Sequence, residues 1–260
     1  MSVIAVLGSA FSQPVLGGRE LEAVPLKTEF GDTVFHKYLR GDGQLAYVLF
    51  RHGAPRKFLP HQIPYLANAV ALRQLGCEAL LLTSSVGVLD PQVPLAAPLS
   101  VVDLLMVDNR LPDGRTCTLF QQPYEKQAHL VIEQGLFSAE LTEQVERIAE
   151  QLGVPSKGRV VFAYHGGPRT KTPTENAYFV RNGAHVNSMT LAPEAVLANE
   201  AGIPVAALVV GHKYSLATPP AAPVSVSASL EVAARCLEPI VLGFLEYGVP
   251  VPFRNQLYAP

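Results

Sequence analysis

Tryptophan is absent from this sequence, cysteine and methionine occur three times each, and only 16% of the residues are charged. The cysteines, Cys77, Cys117 and Cys236, are odd in number and far apart, with no Cys-x-x-Cys spacing and no Cys/His pair. That pattern argues against a disulfide framework and a zinc site, so no metal is expected; small buried or half-buried thiols are. Lysine and arginine (20) nearly balance aspartate and glutamate (22), for a formal net charge of −2, and the basic residues are scattered. The basic stripe of a nucleic-acid partner is missing. One small anion could still bind, because a few focused donors suffice for it. No apolar run reaches ~18 residues, so no membrane span is expected. The opening segment, MSVIAVLGSAF, carries no basic leader and runs into a glycine turn. It reads as a first core strand and not as a signal peptide, and the cytoplasm is the expected location.

What is abundant is apolar material, 48% of the chain, enough for a buried sheet. The length suits one large α/β domain over 1–260. Short apolar runs predict strands at Val3–Leu7, Leu45–Phe50, Ala79–Thr83, Val101–Val107, Val160–Tyr164 and Val205–Val210. Most lack alternation, as strands covered on both faces do. Helical spacing predicts His61–Leu75, ended by Gly76, and Pro193–Ala201, closed by Gly202. Ser138–Leu152 reads as an amphipathic helix with Ser138 as N-cap, Leu141, Val145, Ile148 and Leu152 inside, and Gly153 ending it. A last helix is predicted over Ala228–Tyr247. Strands alternating with helices imply a parallel or mixed sheet between helical layers. The proline-rich tail 248–260 is too apolar for a solvated end, so it is expected to pack on its own core or reach a neighbouring subunit.

Binding phosphate takes backbone N–H groups, hydroxyls and a cation converging at the end of a sheet. Four strand ends offer such groups: Gly8-Ser9, Arg51-His52-Gly53, Thr83-Ser84-Ser85 leading to Gly87, and Met189-Thr190 ahead of a short helix. Each alone is as readily a turn, an ion pair or a cap. The case comes from finding all four.

The segment from Gly166 to Leu208 resembles the second half of the trimeric purine nucleoside and methylthioadenosine phosphorylases. Its matching elements are Gly167-Pro168-Arg169, Glu175, Gly183-Ala184, Met189-Thr190, Pro193-Glu194 with Val196-Leu197-Ala198, and Glu200-Ala201-Gly202-Ile203. Upstream, Gly8-Ser9, Arg51-His52-Gly53, Tyr65-Leu66-Ala67-Asn68, Leu75-Gly76-Cys77, Thr83 and Gly87 follow the same order. The likeness covers about residues 3–247. It implies a three-layer α/β/α fold with a mixed central sheet, partly closed like a barrel, assembled as a homotrimer with sites near subunit interfaces. It implies reversible phosphorolysis of a nucleoside, with inorganic phosphate as co-substrate and no other cofactor. Ser9, Arg51, His52, Ser84, Ser85 and Thr190 would hold phosphate, and Met189 would lie under the ribose. Glu194 and Arg169 would brace the site without entering it.

The base end departs from the family pattern. Where relatives carry Thr-Asn or Thr-Asp after the strand at Val205–Val210, this chain has Gly211-His212-Lys213-Tyr214-Ser215. Ungapped counting puts Lys213 on the base-reading position, and a small indel would put Gly211 or His212 there. After Arg169 an aromatic and then Glu or Ser are usual; here they are Thr170 and Lys171. Thr170, Lys171 and Gly211 are therefore the expected base contacts, and His212 and Lys213 the expected catalytic pair. Three readings stand open. His212 or Lys213 protonates the departing base, a role for which histidine's near-neutral pKa suits it. Alternatively the pocket takes an oxo-rich or anionic base, or the chain is a silent nucleoside- and phosphate-binding homologue. A water-using hydrolase is a further possibility, against which the phosphate residues argue. Methylthio-nucleosides are favoured by Arg51-His52-Gly53 and the Tyr65–Asn68 region. His36, His129 and His185 are expected in packing or at the surface, and His165 beside the site. Cys117 or Phe120 is expected in core packing, with contact to a neighbour's sugar pocket as the alternative.

Overall fold

The computed structural model describes residues 2–123, 127–216 and 225–259. Met1 and Pro260, the ends of the expected domain and tail, lie outside them. The first apolar run forms β1 (Ser2–Leu7), buried along its whole length. Val3, Ala5 and Leu7 enter one apolar layer, Ile4 and Val6 the other. A strand covered on both faces needs no polar alternation. Next come β2 (Val15–Leu16), β3 (Arg19–Glu20), β4 (Ala23–Thr28), β5 (Gly31–Leu39), β6 (Leu45–Phe50), α1 (Tyr65–Gln74), β7 (Cys77–Val88) and β8 (Pro98–Leu105). The second half holds β9 (His129–Val131), α2 (Ala139–Gln151), β10 (Arg159–Tyr164), α3 (Pro173–Arg181), β11 (Val186–Ser188), α4 (Ala192–Glu200), β12 (Val205–Tyr214), α5 (Val226–Tyr247) and β13 (Gln256–Tyr258).

Nine strands form one mixed sheet in the order β11-β10-β8-β12-β7-β1-β6-β5-β4, and β11 also pairs with β7. That extra pairing closes β7, β12, β8, β10 and β11 into a ring, while the β4 end stays open. Helices α1 and α4 cover one face through Ala71, Leu72, Ala192, Ala195 and Ala198. Helices α2 and α5 cover the other through Leu141, Val145, Ala233, Leu237 and Phe244. The three-layer α/β/α arrangement with a mixed, partly closed sheet is the expected one.

Ser138 caps α2 as its position predicts, accepting from the Leu141 N–H at 3.3 Å. Leu152, expected on the inner stripe, is instead 45% exposed, because the helix ends at Gln151 and the chain turns away through Gly153. The helix expected over His61–Leu75 is split. Pro60–Gln62 makes a single 3₁₀ turn, and Ile63, held extended (φ −63°, ψ 128°) by the following Pro64, breaks it from α1. Two strands run further than their apolar cores suggest: β7 continues through Thr83-Ser84-Ser85 to Val88, and β12 continues to Tyr214. Pairing between these two strands carries their polar ends. The hairpin β4–β5 and helix α3 are not among the expected elements. β4 alternates exposed and half-buried residues, and α3 buries only Phe179.

The tail folds back on its own chain. β13 pairs with β9, and Asn255 Oδ1 accepts from the Glu133 and Gln134 N–H groups at 3.0 and 3.2 Å. Its Nδ2 donates to the Gly135 carbonyl and to Asn199 Oδ1, both at 2.8 Å. Cys77 and Cys117 are buried and Cys236 half-buried, all as free thiols. Among the described residues no helix is long and apolar enough to cross a membrane.

Candidate active site

Strands β1, β6, β7 and β12 run parallel to one another, so their C-terminal ends converge. A cavity of about 600 Å³ opens there. Open α/β sheets characteristically bind ligands at this edge. Its wall includes Ser9, His52, Ser84, Ser85, Met189 and Thr190 at one part, and Thr170, Lys171, His212 and Lys213 at another. These are all but two of the residues singled out from sequence.

At the hydroxyl-rich part, Gly8 allows β1 and β7 to approach: a Cβ there would lie 2.8 Å from the Thr83 carbonyl oxygen and 3.0 Å from Arg51 Nη1. The Gly8 N–H donates to Thr83 Oγ1 at 3.1 Å, and Thr83 Oγ1 donates to the Val6 carbonyl at 3.2 Å. Thr83 is thereby spent on joining the strands, and Ser84 and Ser85 face the cavity. Ser85 Oγ is buried without a hydrogen-bond partner. Thr190 is brought in by a sharp turn at Leu191, whose φ of +75° is an unusual conformation for a side-chain-bearing residue. The His52 ring sits 2.9 Å from the Phe58 carbonyl through Nδ1. A carbonyl only accepts, so Nδ1 carries the hydrogen and neutral His52 has Nε2 as acceptor. Burial, aided by the nearby Arg51 and Arg56 charges, pushes the His52 pKa down to about 4.

Arg51 is one of the two exceptions. Its side chain is fully buried beneath the cavity and does not form its wall. Nε donates to Glu194 Oε1 at 2.6 Å and Nη1 to the Thr83 carbonyl at 2.7 Å, while Nη2 has no partner. Glu194, expected to brace the site, braces it through this ion pair. The guanidinium in the wall is that of Arg56, which donates to the Ser9 carbonyl. Sequence reasoning passed it over, although a second arginine five positions after the first was a usable signal.

The other exception is Gly211, and a strand irregularity explains it. β12 pairs with β7 so that Gly211 faces Val86 and Lys213 faces Gly87, which leaves His212 as an extra, bulged residue. Bulges re-aim side chains and recur beside active sites. Without it, His212 and Lys213 would point to opposite faces; with it, both reach the cavity. Gly211 falls on the other side, where a Cβ would come 2.5 Å from Val88 and 3.2 Å from Leu95. It does not line the cavity, where the base contact expected of it would have to be made.

Lys213 is close enough to disfavour the Lys171 charge. Burial first, and Lys213 second, bring the Lys171 pKa down to about 8. Burial and both lysines push His212 down to about 4. The near-neutral pKa that recommends histidine as a proton donor is therefore not realised, and His212 is an uncharged imidazole at neutral pH. Its Nδ1 lies 3.5 Å from Ser229 Oγ. Lys171 directly precedes Thr172, the N-cap of α3, whose start is held by a reciprocal cap: Glu175 N–H to Thr172 Oγ1 at 3.2 Å and Thr172 N–H to Glu175 Oε2 at 2.7 Å. Arg169 grips the same carboxylate at 2.8 and 2.7 Å, which holds the Glu175 pKa well below the usual carboxylate range. Asn176 and Asn187 also line this part, joined at 2.9 Å. Neither had a sequence signal, because isolated asparagines suggest turns and caps.

The remaining candidates lie elsewhere. His36 is buried edge-on against Phe50, His129 stacks near Tyr258, and His185 Nδ1 accepts from the Val161 N–H. His165 is half-buried just outside the wall, its N–H bonded to the Ser188 carbonyl. Cys117 is fully buried in an apolar cluster with Tyr65, Leu66 and Leu197, and neither it nor Phe120 lines the cavity.

A family model described as Phosphorylase superfamily matches residues 3–246. A relative from Pseudomonas syringae pv. tomato, named "Probable S-methyl-5'-thioinosine phosphorylase", is 30% identical over 80% of this chain and 83% of its own. The protein of the same name from Methanopyrus kandleri is 32% identical over 83% and 80%. The 6-oxopurine nucleoside phosphorylase of Pyrococcus furiosus is 30% identical over 83% and 80%. Among solved structures, the methylthioadenosine phosphorylase of Schistosoma mansoni in complex with adenine superposes with a TM-score of 0.82. It covers 94% of this chain and 90% of its own at 21% identity, a likeness of fold.

Proposed function

This chain belongs to the phosphorylase superfamily, and from that premise we propose that it catalyses reversible phosphorolysis of a purine-type nucleoside, 5′-methylthio-nucleosides included. The products are a free base and a ribose or modified ribose 1-phosphate. The observation that carries this reading is that one cavity is lined both by Ser9, Ser84, Ser85 and Thr190 with Arg56 and by Lys171, Lys213 and His212.

Phosphate is assigned to the hydroxyls of Ser9, Ser84, Ser85 and Thr190, with Arg56 as the cation in the wall and Arg51 acting from beneath. Ser85 Oγ and Arg51 Nη2, both buried without partners, are donors that an oxyanion would satisfy. His52, neutral with Nε2 as acceptor, suits the hydroxyl of hydrogen phosphate or of the ribose. Met189 offers an apolar surface to the sugar. Glycosidic cleavage builds positive charge at the anomeric carbon, and a phosphate held against that carbon both stabilises the charge and supplies the nucleophile. The departing base gains negative charge beside Lys171, Lys213 and His212. The reaction requires no cofactor beyond inorganic phosphate. By analogy with its family the protein is assigned as a cytoplasmic homotrimer.

The test is base release from a nucleoside panel, followed by chromatography with and without phosphate. The expected result is release only with phosphate, with one sugar 1-phosphate per base. Release without phosphate would make the protein a hydrolase. Phosphate binding without release from any nucleoside would make it a binding protein.

A further inference from the structure

Asn187 and Lys213 both pair with Gly87, one from β11 and the other from β12. Adjacent strands lie about 4.8 Å apart, so the two residues flank a slot roughly 10 Å across in the cavity wall, with Gly87 between them and Asn187 Oδ1 and Ser215 Oγ close over it. A Cβ on Gly87 would come 3.0 Å from Asn187 Oδ1 and 2.2 Å from Ser215 Oγ. Asn187 is 1% exposed; its Nδ2 donates to Asn176 Oδ1, and its own Oδ1 has no partner. Lys213, Lys171 and the uncharged His212 line the same cavity, near enough for the lysine charges to act on Lys171 and His212. The nearby carboxylate, Glu175, is held by Arg169 and the α3 cap. Among the described residues the cavity wall has three cations, Arg56, Lys171 and Lys213, and no carboxylate.

We infer that the slot over Gly87 selects a base with two oxo groups and a ring N–H, as in a 2,6-dioxopurine, and that Lys171 and Lys213 hold it as it leaves as an anion. This rests on the phosphorolysis reading above and names its substrate class. An ammonium group only donates, so it meets oxo oxygens and an anionic ring nitrogen, and it repels the N–H of an amino substituent. Asn187 Oδ1 only accepts, so it meets the ring N–H. In the reaction a phosphate oxygen bonds to the anomeric carbon, and the carbon–nitrogen bond breaks with its electron pair on the base. The base anion takes a proton from Lys171, and the proton lost by the sugar phosphate returns to Lys171 through solvent.

Xanthosine, inosine and adenosine compared as substrates with saturating phosphate test this. The expected kcat/KM falls in that order, with xanthosine about 100-fold above adenosine, the size of effect that leaving one buried polar group unpaired produces. Lys171→Met and Lys213→Met are each expected to lower the xanthosine value at least tenfold and to shrink the ratio. Adenosine used as well as xanthosine, or a ratio unchanged in both variants, would overturn the inference. Calorimetry of free xanthine and adenine on the wild-type protein decides independently of turnover and of variant folding. Tighter xanthine binding supports the slot's selectivity even if no nucleoside is cleaved, a result that would sink phosphorolysis alone. Adenine binding as tightly as xanthine would sink the inference while leaving phosphorolysis standing.

Discussion

Arg51 and Glu194 meet at 2.6 Å beneath the cavity floor, one following β6 and the other in the first turn of α4, with side-chain exposures of 0% and 4%. Removing one member of such a pair strands the other charge in the interior. Glu194→Ala is expected to cost about 3–5 kcal/mol, lowering the melting temperature by on the order of 10 °C for a chain of this size. Calorimetry checks this. A melting temperature within 2 °C of the wild type would show that the pair contributes no stability.

His52 and His212 both have pKa values near 4 in the folded state against 6.5 unfolded. Between those values the unfolded chain binds more protons, so stability is fully present above pH 6.5 and declines as the pH falls toward 4. For buried His52 the loss is on the order of 2 kcal/mol. Urea denaturation at pH 7.5, 6 and 5 should show the decline, and His52→Gln should flatten part of it.

The lowered pKa of Lys171, about 8, makes it the lysine that acylating reagents should find first at pH 8. About half of it is unprotonated there, against well under one percent of an ordinary lysine. Mass spectrometry after brief acetylation should find Lys171 modified before the surface lysines, with a pH midpoint near 8 and protection by nucleoside. Modification no faster than that of Lys157 would contradict the lowered pKa.

Gly87→Ala places a methyl group 2.2 Å from Ser215 Oγ. The expected consequence is a cost of about 1–3 kcal/mol in the slot, seen as a rise in the nucleoside KM of tenfold or more. The phosphate KM should stay within about twofold, because Ser9, Ser84 and Thr190 are undisturbed. Equal rises in both constants would show that the two parts of the cavity are not separable.

Asn255 makes four hydrogen bonds that tie the tail to 133–135 and to Asn199. Asn255→Ala should destabilise the protein by about 1–3 kcal/mol, since it leaves partly buried groups unpaired. Limited proteolysis should then cut within 249–259 sooner than in the wild type.

The strands at Val3–Leu7, Leu45–Phe50 and Val160–Tyr164 were legible because an unbroken apolar run has few homes other than a sheet covered on both faces. Ser138 was legible because capping is a local event, settled within three residues. The hydroxyls at Ser9, Ser84, Ser85 and Thr190 and the lysines at 171 and 213 were legible as positions in a familiar order. What the order concealed was direction and depth: Gly211 faces away from the cavity, and Arg51 lies buried beneath its wall.

Composition and periodicity determined the layered α/β architecture, and the residue order determined the family, because both depend on neighbours in the chain. The tertiary structure decided that Glu194, 143 positions away, holds Arg51 below the floor. It decided that a single bulged residue, His212, turns Lys213 toward Gly87, and that Asn187 faces it across the slot. Burial and charge act through space, and the closing pairing of β11 with β7 brings together groups that the chain keeps 100 or more residues apart.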